Sequence, residues 1–379
     1  MPRRIYCDKP KMTDNVSPKK RIAAFVPNIL GYSPGQRVRI ELWEKYLKAA
    51  GWTVEYFPFE DAALHEVLYQ KGNYISKASR ITKCYQQQIN SALKKFSSDA
   101  IFIYREASLI GPSLPEYLIA RQKIPIIYDI DDPIFLPYRS PMNGWASLFK
   151  FSKKTHKIFR LSTHVIAINK LIADYVAKYN PNVTVIPNCI DIEKYKPNEK
   201  KDENYGERGV RLVWIGSLST MPNLLEITEP LKKLQADHKS PLIIIGAGKI
   251  EMNGVDIDMR QWSAATEVRD LQDGDIGLLP LSNLDWNNWK FFFKTIQYMA
   301  TGIPVIARRM GSNSEIIEDG VDGFLVETME EWYDRLKLLV TDHKLRIKMG
   351  KSAEQKVIKH FSVRSQMPRM VEIFESVIR

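Results

Sequence analysis

A chain of 379 residues with 44% hydrophobic and 26% charged residues suits two or three globular domains of about 100–200 residues, each able to bury a core. No apolar run is long enough for a membrane span, the N-terminus lacks a signal-peptide pattern, and Cys7, Cys84 and Cys189 lack metal-ligand spacing, so helical membrane proteins and thiolate metal sites are excluded and a reduced, cytoplasmic setting is expected. The net charge of +11 is uneven: residues 1–200 carry 31 Lys and Arg against 18 Asp and Glu, the rest 24 against 26. That asymmetry points to an anionic partner for the first half (a membrane surface, a lipid phosphate or nucleic acid) or to a merely soluble basic surface.

Residues 1–20 read as a flexible, polar and basic leader. The spacing then predicts a strand over 21–27, a Gly/Pro loop over 28–36, a helix over 38–50 and a strand over 53–57, the start of a doubly wound α/β domain. Ligands of such sheets sit outside the carboxyl ends of strands, so Gly31, Gly35, Arg37 and Arg39 are expected to face a phosphate, with a plain turn as the alternative. Residues 60–98 read as helical with a break at Gly72-Asn73. A strand over 100–104 ends at Arg105-Glu106, and one over 125–130 ends at Asp129, Asp131 and Asp132. Carboxylates clustered at a strand end cost energy without a partner, which marks a site or a pairing with Arg105 or Arg139.

Residues 145–161 interleave Trp145, Phe149, Phe151 and Phe159 with Lys150, Lys153, Lys154, Lys157 and Arg160. A basic helix with aromatic anchors suits an anionic membrane surface; the alternative is an ordinary surface helix. A strand over 163–168, a helix over 170–179 and a strand over 183–187 follow, then a polar linker. A second α/β unit starts at Val210, with a strand to Ile215, the turn Gly216-Ser217-Leu218-Ser219-Thr220, a helix over 222–236 and a strand over 241–245. Further strands fall at 255–259 and 275–280. A helix from about Phe292 stops at Gly302, Val305-Ile306-Ala307 reads as a buried strand, and Gly311 to Ser314 as a flexible polar turn before a helix opened by Glu315. The helix N-terminus flanked by Lys290 and Lys294 is a place to hold an anion.

Gln297-Tyr298-Met299-Ala300-Thr301-Gly302-Ile303-Pro304-Val305-Ile306-Ala307 and Gly311-Ser312-Asn313-Ser314-Glu315-Ile316-Ile317-Glu318-Asp319-Gly320 resemble the donor half of retaining GT-B glycosyltransferases, glycosyltransferase family four. Lys290, Lys294 and Gln297 fit the Lys-x3-Lys-x2-Gln spacing of a subgroup, while Trp289 and Gln297 stand where most relatives carry two Glu. Ile186-Pro187-Asn188-Cys189-Ile190-Asp191 resembles the family's pre-linker signature, with Cys189 for Gly.

The resemblance implies two Rossmann-like doubly wound domains facing across a cleft. It implies a leader over 1–20, an acceptor-side domain over 21–190, a linker over 191–209, a donor domain over 210–362 and a helix over 363–379 crossing back. It implies transfer of a sugar from a nucleotide diphosphate sugar to a glycan, lipid-linked or small-molecule acceptor, with retention and without a metal. No cofactor beyond the co-substrate is expected, and no nucleic acid. Asp131, Asp132, Arg105 and Lys294 are the expected catalytic residues. Gly31, Gly35, Arg37, Gly216, Ser217, Thr220, Arg260, Trp262, Asp285, Trp286, Lys290, Phe293, Lys294 and Gln297 are expected around the donor. Gln297 would meet the ribose, and the base would lie near residues 259–262. The implied location is cytoplasmic, with the inner face of the membrane as a peripheral site. The alternatives are a non-catalytic binding protein with a degraded cleft and a nucleotide-sugar epimerase.

Overall fold

The computed structural model describes residues 20–70, 72–137, 151–198, 209–248 and 250–378. The leader, Arg139, Trp145, Phe149, Lys150 and most of the polar linker lie outside the described residues. Two six-stranded sheets, parallel in every strand pairing described, carry the chain. The first contains β1 (Lys20–Val26), β2 (Trp52–Pro58), β3 (Ala100–Tyr104), β4 (Ile126–Ile130), β5 (His164–Ala167) and β6 (Val183–Val185) in the order β2-β1-β3-β4-β5-β6. The second contains β7 (Leu212–Ile215), β8 (Leu242–Ile245), β9 (Ile257–Arg260), β10 (Ile276–Leu279), β11 (Val305–Arg308) and β12 (Gly323–Val326) in the order β12-β11-β10-β7-β8-β9.

Strands such as Ala100–Tyr104 and Leu242–Ile245 are buried at every position. That is why they read as continuous apolar runs: helices cover both faces of a parallel sheet. Each sheet reverses its winding beside its first strand, at β1/β3 and at β7/β10. The loops after those strands are where a ligand has backbone on both sides.

The chain forms two compact units, one of Met1–Tyr128, Tyr138–His164 and Val371–Arg379, the other of Asp129–Pro137 and Val165–Met370. In the first unit the end of the last helix (Val363–Val377) is fixed by Phe374, whose ring lies 5.2 Å from Trp52 and 6.2 Å from Phe102, and by an ion pair of Glu375 with Lys20.

Two expected helices are broken. Residues 38–50 divide into a helix over Pro34–Arg39, a 3-10 turn over Glu41–Trp43 and a helix over Glu44–Ala49. Residues 222–236 divide into Met221–Leu225 and Thr228–Asp237 about a buried Ile227. The expected flexible turn at 311–314 is instead anchored. Ser312 and Asn313 are buried, Ser312 Oγ accepts from Phe292 N at 2.9 Å, and Thr295 Oγ1 donates to Asn313 Oδ1 at 2.7 Å.

Candidate functional site

The site is built at the carboxyl ends of β7, β8 and β10 in the second unit. Gly216 follows β7 in a place where a Cβ would come within 2.3 Å of the Trp214 ring and 2.7 Å of Thr220 Oγ1. Only glycine lets the chain pass there. Thr220 Oγ1 accepts from Ser217 N at 3.1 Å and donates to Ser217 O at 3.0 Å, and the Ser217 and Ser219 hydroxyls meet at 2.9 Å. The residue after β8, Gly246, has φ +92°, and a Cβ there would meet Gly216 O at 2.8 Å and the Trp262 Cβ at 3.1 Å. The structure therefore brings Gly216, Ser217, Thr220 and Trp262 together at these strand ends.

Lys294 enters this loop from the helix Phe293–Ala300. Its Nζ lies 3.5 Å from Thr220 Oγ1 and 5.0 Å from the centre of the Trp214 ring. Burial, with a smaller push from Lys290, lowers its pKa from 10.5 to about 8. Among the described residues no carboxylate pairs with it. Among the described residues the ammonium meets a hydroxyl and a ring face, an arrangement that suits an incoming anion.

Other expected donor residues are placed differently. Gln297 is buried, and its amide nitrogen donates to the Glu267 carboxylate and, at 3.2 Å, to Tyr195 OH. Tyr195 OH in turn donates to Glu267 Oε1 at 2.7 Å. In place of the expected ribose contact, this amide ties its helix to the start of the helix Glu267–Gln272 and to the linker segment. Trp289, at the position of the other Glu, closes an aromatic cluster, 5.4 Å from the Phe135 ring and 6.0 Å from Tyr175, and its carbonyl accepts from Asn169 Nδ2 at 2.8 Å.

Arg260 forks onto Asp273 at 2.6 Å and Asp258 at 2.8 Å, with Asp270 at 3.4 Å. Burial works against its charge, but those carboxylates raise its pKa above the ordinary value. Arg260 is thus neutralised within the chain rather than offered to a phosphate. A cavity of about 400 Å³ beside it is lined by Gln261, Thr266 and Arg269 as well. Asp285 is exposed on the short helix Asp285–Asn288 that also carries Trp286, and Phe293 packs on the core.

In the first unit, Gly31 has φ +84° and its N–H donates to Glu41 Oε2 at 2.9 Å. That corrects the expected phosphate cradle: the amide is already used, and a carboxylate occupies the place where an anion would sit. Gly35 lies within the helix Pro34–Arg39, and the Arg37 Nε is buried without a partner. Arg105, just after β3, holds a left-handed φ of +56°, and its carbonyl accepts from Tyr128 OH. In the second unit, Asp131 is buried and Asp132 half-buried just beyond β4.

Lys154, expected among solvent-facing membrane cations, is buried. It pairs with Glu106 at 2.8 Å and donates to Ser108 O. Burial alone would lower its pKa, yet Glu106 and Glu116 raise it, while burial raises that of Glu116. Tyr195, Glu267 and Trp214 were not singled out from sequence. No local pattern marks them, because each works through a partner far along the chain.

Two doubly wound parallel sheets with these loop sites make the fold GT-B. Residues 209–342 match the family described as glycosyl transferases group 1. The chain is 22% identical over 257 residues to a UDP-Gal:alpha-D-GlcNAc-diphosphoundecaprenol alpha-1,3-galactosyltransferase of Escherichia coli, covering 62% of this chain and 63% of that protein. It is 23% identical over 215 residues to an N-acetyl-alpha-D-glucosaminyl L-malate synthase of Bacillus anthracis, covering 54% of this chain and 56% of that protein. The matches thus span about three fifths of the length of these relatives. A glycosyltransferase from Rickettsia africae superposes with a TM-score of 0.69 at 17% identity, covering 95% of this chain and 99% of that one. Anabaena HepE in complex with UDP and glucose superposes with a TM-score of 0.64 at 15% identity, covering 94% and 100%. Among the described residues no helix is long and apolar enough to cross a membrane, and no group of three or more His, Cys, Asp or Glu could hold a metal ion.

Proposed function

We propose that this protein is a glycosyltransferase that binds a nucleoside diphosphate sugar in its second unit and transfers the sugar to a glycan, lipid-linked or small-molecule acceptor. The observation that carries the reading is Lys294: a half-buried ammonium that meets no carboxylate among the described residues, at the mouth of the Gly216–Thr220 loop. A departing diphosphate gains negative charge, and a fixed cation helps most where charge develops. Lys294 takes that charge, Lys290 assists, and the hydroxyls of Ser217 and Thr220 receive phosphate oxygens.

The base lies by Trp262 and the cavity beside Gln261, and UDP is the first donor nucleotide to try, since HepE is solved with UDP and the Escherichia coli relative is named for UDP-Gal. Transfer proceeds with retention and with side-chain cations rather than a metal at the diphosphate. Asp131 and Asp132, just beyond β4 in the second unit, serve the reacting centre. The protein works in the cytoplasm, with peripheral membrane attachment through its basic half.

One observation favours a second reading. Trp289 and Gln297, at the positions of the two usual Glu, are both turned to packing and internal hydrogen bonds, as a binding protein with a lost reaction would allow. Incubation with labelled nucleoside diphosphate sugars and a lipid and glycan extract separates the readings. Label on an acceptor supports transfer, an isomerised sugar means an epimerase, and binding without turnover means a binding protein.

A further inference from the structure

The hydroxyl of Tyr298 sits inside the central strand pair of the second sheet. β7 and β10 run parallel with Leu212 opposite Ile276 and Val213 opposite Gly277, and the described pairing ends there. In that register the next ladder bond would run from Ile215 N to Leu278 O. The hydroxyl takes its place: it accepts from Ile215 N at 3.0 Å and donates to Leu278 O at 3.2 Å. A direct N–H···O bond spans about 2.9 Å, so two bonds in series hold the strand ends apart. The gap opens where the sheet reverses its winding, and β7 runs from there into the Gly216–Thr220 loop.

The surroundings are shaped for this insertion. Tyr298 is fully buried, and a phenol there without partners would be costly. Burial, opposed in part by the Ile215 amide, raises its pKa, so the hydroxyl keeps the proton it donates. Gly277 makes room for the ring, since a Cβ there would lie 2.6 Å from the ring's Cγ. On the other side of β7, Gly216 N donates to Ile245 O at 2.9 Å. The loop thus starts from a strand end fastened by β8 on one side and by Tyr298 on the other.

Tyr298 and Lys294 stand four residues apart on the helix Phe293–Ala300 and so share one face of it. That face carries both the hydroxyl that fixes Ile215, just before the loop, and the ammonium 3.5 Å from Thr220 Oγ1, at the loop's end. Moving the helix against β7 would therefore change the place of the cation relative to the loop.

We infer that Tyr298 is a positioning residue: its hydroxyl, inserted between β7 and β10, sets the distance between Lys294 and the Gly216–Thr220 loop and so shapes the seat for a diphosphate. That the seat holds a nucleoside diphosphate rests on the proposed donor reading.

Titration calorimetry of UDP and of uridine against the wild type and Tyr298→Phe tests it, with the Tm of each protein recorded. Loss of the hydroxyl should weaken UDP binding at least about tenfold and uridine binding less than about twofold. A purely structural hydroxyl would lower the Tm and leave the ratio of UDP to uridine affinity as in the wild type; that result overturns this inference alone. A wild-type protein that does not prefer UDP to uridine overturns the donor reading, and with it the seat that Tyr298 shapes. Should the variant not fold, amide hydrogen exchange of the wild type decides. UDP should slow exchange at the Ile215 amide at least about threefold more than uridine does at equal saturation, and equal slowing by both overturns the inference.

Discussion

Lys294 and Lys154 are both half of an electrostatic argument, and they come out oppositely. Lys294 has a ring and a hydroxyl but, among the described residues, no carboxylate, and its pKa falls to about 8. Lys154 has Glu106 and Glu116, and its pKa rises despite burial. Lys294 is therefore charged below about pH 8 and loses its charge above it. UDP affinity should be highest below that point and fall as pH climbs from about 7 to about 9.5, read by titration calorimetry. The free protein should show the opposite trend. Its depressed Lys294 opposes folding while charged, so that contribution to stability recovers as pH rises from about 8 toward the ordinary 10.5. A flat affinity profile would remove Lys294 from the phosphate site. Lys154→Gln should cost about 3–5 kcal/mol in denaturant unfolding, because it leaves buried carboxylates without their cation. A loss under about 1 kcal/mol would mean that the pair behaves as a surface one.

Short apolar strands and glycine stops were legible because each is a local event: β3 and β8 had to be buried on both faces, and Gly302 closes its helix at φ +72°. The break between residues 225 and 228 was not legible, since Ile227 is drawn into a core cluster with residues remote in sequence. Lys294 and Gly216 could be named from spacing and loop position. The partner of Gln297 could not, because Glu267 lies 30 residues away. That pairing makes Gln297→Glu harmful here, although relatives carry Glu: two carboxylates would share one buried hydrogen-bond position. The substitution should cost about 1–3 kcal/mol of stability at neutral pH. Adding Glu267→Gln should restore most of it, since the exchanged pair again has one donor and one acceptor. A single variant as stable as the wild type would show that the buried contact carries no energy.

Across the whole molecule the basic excess lies in residues 1–200, and burial of Lys154 changes which cations can meet a membrane. Lys153, Lys157 and Arg160 remain exposed beside an exposed Phe151. Each is worth on the order of 1 kcal/mol at an anionic bilayer. If the acceptor is membrane-borne, the protein should sediment with anionic vesicles at low salt. Replacing Lys153, Lys157 and Arg160 by Gln should then release it without changing UDP binding. A wild-type protein that stays in the supernatant would make the charge a solubility feature.

The most direct test of the central claim compares UDP with uridine by calorimetry in the wild type and in Lys294→Ala. The account predicts that UDP binding weakens by about 1.5–3 kcal/mol, roughly ten- to a hundredfold, while uridine binding is little changed. Equal weakening of both ligands, or no weakening of either in a folded variant, would contradict a diphosphate seat at Lys294.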